Sequence, residues 1–100
     1  MSAPTGEELR EALRDVFDPE LGYNIVDLGL IYDIAIEDTQ ATITMTMTTP
    51  GCPAADMIRN GVFERASDVP GLTDVTVNVV WDPPWSADCM SEAAKAHFGI

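Results

Sequence analysis

A chain of 100 residues with 17 Asp and Glu against 5 Lys and Arg carries a formal net charge of −12. That length suits a single domain, residues 1–100, with one core that needs neither disulfides nor a structural metal. The charge argues against binding to a nucleic-acid backbone, which needs clustered Lys and Arg, and against docking on an anionic membrane. No run approaches the ~20 apolar residues of a membrane span. The N-terminus shows no basic stretch followed by an apolar one, and two cysteines do not make a disulfide framework. A reduced, cytoplasmic protein is therefore expected. The acidic excess reads either as an ordinary solvated surface or as adaptation to a saline cytosol, where carboxylates are screened at short range.

Thr5-x-x-Glu8 is a capping box, and Leu9, Leu13, Val16 and Phe17 follow it at helical spacing. This first helix is expected to stop by Asp18, because Pro19 disfavours helical backbone in the residue before it. Residues 18–29 show neither helical nor strand period and read as a loop. Leu30 to Glu37 reads as a strand with Tyr32, Ile34 and Ile36 on one face, followed by a turn at Asp38-Thr39-Gln40. Ala41 to Thr48 then alternates, with Ala41, Ile43, Met45 and Met47 inward and four threonines outward, which predicts a hairpin with one buried face. Thr49-Pro50-Gly51-Cys52-Pro53 breaks that strand, and Pro53 suits the first position of a helix. Ala54, Met57, Ile58, Gly61, Val62 and Ala66 mark the expected buried stripe of that helix.

Pro70-Gly71 leads into a third strand with Val75, Val77, Val79 and Trp81 on one face. After Asp82-Pro83-Pro84-Trp85, Ser86 is expected to cap a last helix carrying Met90, Ala94 and Phe98 and closed by Gly99. The order helix-strand-strand-helix-strand-helix predicts an α+β fold, a small two-layer α/β sandwich with helices on one face of a three-stranded sheet. The expected strand order is 2-1-3, with all neighbours antiparallel.

Cys52 is the most informative residue. Ahead of a helix start its sulfur can face unpaired backbone N–H groups and the positive end of the helix dipole. Such surroundings lower a thiol's pKa from about 8.5 and favour the nucleophilic, metal-binding thiolate. Gly51 allows close backbone approach there, and Thr49 precedes it in the same turn. The plainer alternative is a small hydrophobe in a tight loop. Asp18, Glu20 and Asp27 form a second candidate group, with solvation or turn formation as the alternative for each. Trp85 follows two prolines and is read either as a partner contact or as packing under the last helix. Cys52, Cys89 and His97 have no zinc-ligand spacing, and no phosphate-binding glycine loop or GxSxG elbow occurs. The sequence does not look like a self-sufficient enzyme.

Four blocks carry a resemblance: Asp18-Pro19-Glu20, Asn24 to Ile31, Thr48-Thr49-Pro50-Gly51-Cys52-Pro53, and Val80 to Trp85. In this order and spacing the chain resembles the SufT and PaaD-like family of iron–sulfur assembly factors, from about Leu9 to Gly99. The resemblance implies a small α/β domain that helps to mature iron–sulfur proteins. Its relatives include a component of the eukaryotic cytosolic assembly machinery and a domain fused to Mrp-type cluster-carrier ATPases. The family's Asp-Pro-Glu motif falls on Asp18, Pro19 and Glu20, and its reactive cysteine on Cys52. The cysteine-rich extension of PaaD proper has no counterpart in this sequence, so no zinc is expected. Cys89 receives no role from the family.

A cluster usually takes four thiolates, and this chain offers only Cys52 and Cys89. No stably bound cofactor is expected. The leading expectation is an accessory factor with Cys52 as a transient ligand of iron or of an iron–sulfur cluster. Its expected partners are scaffold or carrier proteins, target apoproteins, and a second copy of the chain with which to pool cysteines. The rivals are a thiol-redox enzyme cycling Cys52 and Cys89 through a disulfide, and a docking module whose acidic surface recruits basic partners.

Overall fold

The computed structural model describes residues 4–48 and 54–100. The capping box forms as expected: the Glu8 N–H donates to Thr5 Oγ1 at 3.1 Å and opens helix α1, Gly6–Leu13. Leu9 and Leu13 are fully buried on its inner face, and Val16 joins them in the core. Phe17, expected on the same stripe, is 56% exposed, because the helix has already ended at Leu13. Residues 18–29 are not a single loop. Strands β1 (Phe17–Asp18) and β2 (Tyr23–Asn24) pair antiparallel as a short hairpin. Two-residue strands are too short to display a period, which is why alternation could not reveal them.

Strands β3 (Ile31–Glu37) and β4 (Gln40–Met45) form the expected antiparallel hairpin, with Glu37 opposite Gln40. Ala41, Ile43 and Met45 alternate inward and are all buried. The alternation then fails. β4 ends at Met45, and Thr46, expected to face outward, is completely buried.

Helix α2 (Ala55–Ser67) follows with Ala54 as its N-cap, a residue that makes no side-chain cap bond. The expectation for Pro53 lies outside the described residues. Ala54, Ile58, Val62 and Ala66 are buried as the stripe predicted, whereas Met57 is 66% exposed. Strand β5 (Asp74–Val79) runs parallel to β4 from Gln40 opposite Asp74 to Met45 opposite Val79. The sheet order is β3-β4-β5, which corrects the expected 2-1-3 arrangement and its all-antiparallel pairing. The α2 crossover lays β5 against the free edge of β4. Thr73 N–H donating to Thr39 O and Val80 N–H donating to Met45 O, both 2.8 Å, extend that pairing at each end. The strand with the most completely buried inner face thereby takes the centre of the sheet.

Helix α1 packs on α2 and β3, and α2 packs on β5, so the helices cover one face of the sheet around one core. Each large apolar side chain buried there contributes about 1.5–3 kcal/mol. Trp81 lies past the end of β5 and is 46% exposed rather than part of the core. The last helix, α3 (Glu92–Phe98), starts later than expected. Ser91, not Ser86, caps it by accepting the Ala94 N–H at 3.2 Å, and a 3-10 turn at Ala87–Cys89 precedes it. Gly99 closes α3 in the left-handed conformation, φ 75°, as its place in the sequence suggested.

Candidate functional site

Asp18 is only 2% exposed, and its burial has a local cause. Its Oδ1 accepts the backbone N–H of Glu20 at 2.8 Å and of Leu21 at 3.3 Å, while its carbonyl accepts the Gly22 N–H at 2.7 Å. The Asp-Pro-Glu motif therefore builds the turn of the β1–β2 hairpin, with Gly22 at φ 68° completing it. Glu20 is exposed at the tip of that turn.

Asp27 sits at a joint. Its Oδ2 accepts from Arg14 Nη1 at 2.7 Å and from Asn24 Nδ2 at 2.8 Å, and its own N–H donates to Asn24 Oδ1 at 2.8 Å. Its carbonyl accepts the Ser91 N–H at 2.8 Å, which ties the loop to the start of α3. Burial pushes the Asp27 carboxyl up, but hydrogen bonds from Asn24, Ser91 and Arg14 outweigh it and hold the carboxyl below its ordinary range. Such a depressed group stabilises the fold above the ordinary carboxylate value of about 3.9, and that contribution is lost as pH falls through the lower, folded-state value. Asp27→Asn is accordingly expected to lower stability at neutral pH by about 1–2 kcal/mol. The gap from wild type should close in acid below about pH 4. Urea melts across pH test this, and a gap independent of pH would contradict it.

The C-terminal strip lies along the same loop. Trp85 is half-buried and donates its indole N–H to Leu28 O at 2.7 Å. The indole is thus tethered to the loop, with part of its ring exposed. Tyr32 donates its hydroxyl to Pro83 O at 2.8 Å. Gly29, at φ 81°, packs so closely on Cys89 that no side chain fits between them. Cys89 itself is exposed and unbridged. Burial, the adjacent Cys89 sulfur and Asp82 raise the Tyr32 phenol above its ordinary range, and the Thr46 hydroxyl works in the opposite direction. Although Thr46 Oγ1 influences that phenol, it makes no hydrogen bond of normal geometry; among the described residues it is a buried polar atom without a partner. His97 stacks at 4.8 Å from both Tyr23 and Phe98 in an aromatic cluster.

Thr49, Gly51 and Cys52 lie outside the described residues, but both flanks of their segment are anchored. On one side Thr46 donates its N–H to Leu30 O at 2.8 Å and Met47 is buried. On the other, Ala54 is buried and its carbonyl accepts the Ile58 N–H at 2.9 Å. The joint at Asp27, the close contact of Gly29 with Cys89 and the Leu30–Thr46 bond thus form one support along residues 27–30, and Thr46 precedes the Cys52 segment in sequence. Tyr32 and Thr46 belong to that support and were assigned in sequence only as strand residues. Nothing in their local pattern distinguishes them, since Tyr32 is met by Pro83 and Cys89 and Thr46 by Leu30, all distant in sequence. No group of three or more His, Cys, Asp or Glu able to hold a metal occurs among the described residues. Among them, no helix is long and apolar enough to cross a membrane.

The profile of the family described as "Iron-sulfur cluster assembly protein" matches residues 6–79. This chain belongs to that family. The matched span holds Asp18, Glu20, Asp27 and Cys52 and ends before Trp85 and Cys89. Among the family's relatives, the Fe-S protein maturation auxiliary factor YitW of Bacillus subtilis is 46% identical, over 94% of this chain and 93% of its own length. The maturation auxiliary factor SufT of Staphylococcus aureus is 43% identical, over 85% of this chain and 98% of its own. A crystal structure of a domain of unknown function from Bacillus anthracis superposes with a TM-score of 0.88 at 50% identity, covering 94% of this chain and 91% of that one.

Proposed function

We propose that this chain is an accessory factor in the assembly of iron–sulfur clusters or in their transfer to target apoproteins, working in the cytoplasm with Cys52 as a reactive thiolate or transient ligand. The observation that carries this reading is the family match across the segment that bears Cys52, together with relatives named as maturation auxiliary factors. Cluster chemistry limits the mechanism. A cluster takes four thiolates, and Cys52 and Cys89 are the only cysteines in the chain. The cluster is therefore cargo rather than a resident group, and the missing ligands come from a scaffold or carrier, from the apoprotein, or from a second copy of the chain.

In this reading Asp27 and Trp85 are positioning residues that hold the loop ahead of Leu30, and the buried Asp18 positions Glu20 through its own turn. Glu20, exposed on the turn, is the carboxylate to which this reading gives contact with a metal ion or a basic group of a partner. Thr49 and Gly51, which stand beside Cys52 in the sequence, are the supporting residues this reading assigns to the thiol.

Cys89→Ser separates this reading from thiol-redox cycling. Maturation of an iron–sulfur target by the Cys89→Ser chain should stay near the wild-type level, and anaerobically purified protein should hold iron and sulfide well below one cluster per chain. Loss of maturation as complete in Cys89→Ser as in Cys52→Ala would overturn the assembly reading in favour of the disulfide cycle.

A further inference from the structure

An open groove of about 370 Å³ runs between the end of α1 and the outer face of α2. Its walls carry two large apolar side chains that the fold does not use: Phe17 is 56% exposed and Met57 66% exposed, and neither belongs to the core cluster. Gly61 supplies the floor. A Cβ there would already stand 3.3 Å from Val16 Cγ1, so the absence of a side chain keeps the depression open. The rim is acidic. Glu64 of α2 and Asp68, the residue that caps its end, line the groove with Asp15, which is paired with Arg65 at 2.9 Å.

We propose that this groove is the docking surface for a basic segment of a partner protein that inserts one large apolar side chain between Phe17 and Met57. An exposed aromatic and methionine lining one groove together with charged groups is the composition of a protein interface, and methionine adapts its shape to an incoming side chain. Charge decides the occupant. Three carboxylates against one guanidinium on the rim, on a chain of net charge −12, attract Lys and Arg and oppose a second copy of the same chain. The same sign excludes nucleic acid and an anionic membrane. Met57 stands in the first turn of α2, five residues after Cys52 in the sequence, so a partner held here is brought to the helix that follows the reactive segment. The inference rests on the accessory-factor reading and assigns it a partner-recognition surface.

The test follows backbone amide shifts of the isotope-labelled full chain as a Lys-rich helical peptide with one central Leu is added, in about 0.15 M salt. Saturable shifts confined to Val16, Phe17, Met57, Gly61, Glu64 and Asp68 are expected. Affinity should fall at least about tenfold for the peptide with Leu replaced by Ser, and equally for the Phe17→Ser, Met57→Ser double variant. Both side chains are exposed, so that variant should keep its spectrum and its melting temperature. Glu64→Gln with Asp68→Asn should weaken binding and flatten its dependence on salt. Absence of saturable binding, shifts spread over the whole acidic surface, shifts confined to another face of the domain, or undiminished binding by the double variant would each overturn the proposal. Peptide binding requires neither a cluster nor Cys52, so this surface and the role of Cys52 fail or stand separately.

Discussion

Gly29→Ala is expected to lower the stability of this domain by about 3 kcal/mol, from two effects that add. The backbone at Gly29 has φ 81°, in the left-handed region. A residue with a Cβ typically loses about 1–2 kcal/mol there. A Cβ built at this position would also stand 2.6 Å from the carbonyl carbon of Cys89 and 2.8 Å from its Cβ, with the carbonyl oxygen nearer still. Forcing an extra methyl into such a contact typically costs about 1–3 kcal/mol. Because the nearest atoms are backbone, trimming the Cys89 side chain cannot make room. The whole strip from Trp85 to Ser91 would have to move away from the loop, loosening the indole bond to Leu28 and the Ser91 bond to Asp27. Thermal melting should show a decrease of at least about 10 °C. A change within about 1 kcal/mol would mean that the two segments separate easily and that the strip does not brace the loop.

This contact also marks the limit of what the sequence made legible. The Thr5 cap, the β3–β4 hairpin, the inner stripe of α2 and the closing Gly99 were readable, because each depends on neighbours within a turn or on strict alternation. Strand order was not. Alternation in β4 tells which face is buried and says nothing about which strand lies beside it, so the parallel pairing of β4 with β5 emerged only from the fold. Ser86 and Ser91 are equally good caps by residue type. Ser91 prevails because its N–H is held by Asp27, far away in sequence. Phe17 and Met57 were read as core because helical spacing locates an apolar stripe without revealing whether the packing extends to its edges. Asp18 was visible as a candidate in the acidic loop, but its burial under its own turn was not, since two-residue strands leave no pattern. For the Cys52 segment, the motif was legible while the contacts of the described residues before and after it were not: Thr46 bonds Leu30, far away in sequence, and Ala54 is buried at the start of α2.

Cys52→Ala carries the largest functional effect expected of any single substitution. A thiolate that accepts iron, sulfur or a cluster during transfer has no substitute in alanine, and the chain's other cysteine, Cys89, lies beyond the family match. A cysteine-to-alanine change removes one small side chain, and the Leu30–Thr46 bond and the buried Met47 and Ala54 on either side of the segment do not depend on it. Function and fold should therefore separate, with maturation lost and stability kept. The most direct measurement is complementation of a strain lacking this factor, scored by the activity of an iron–sulfur enzyme and read beside the thermal melts of the purified variants. The predicted result is that Cys52→Ala leaves the enzyme at the level of the deletion strain while melting like wild type, and that Cys89→Ser restores it. Full restoration by Cys52→Ala would contradict the central claim and leave the domain with a docking role alone.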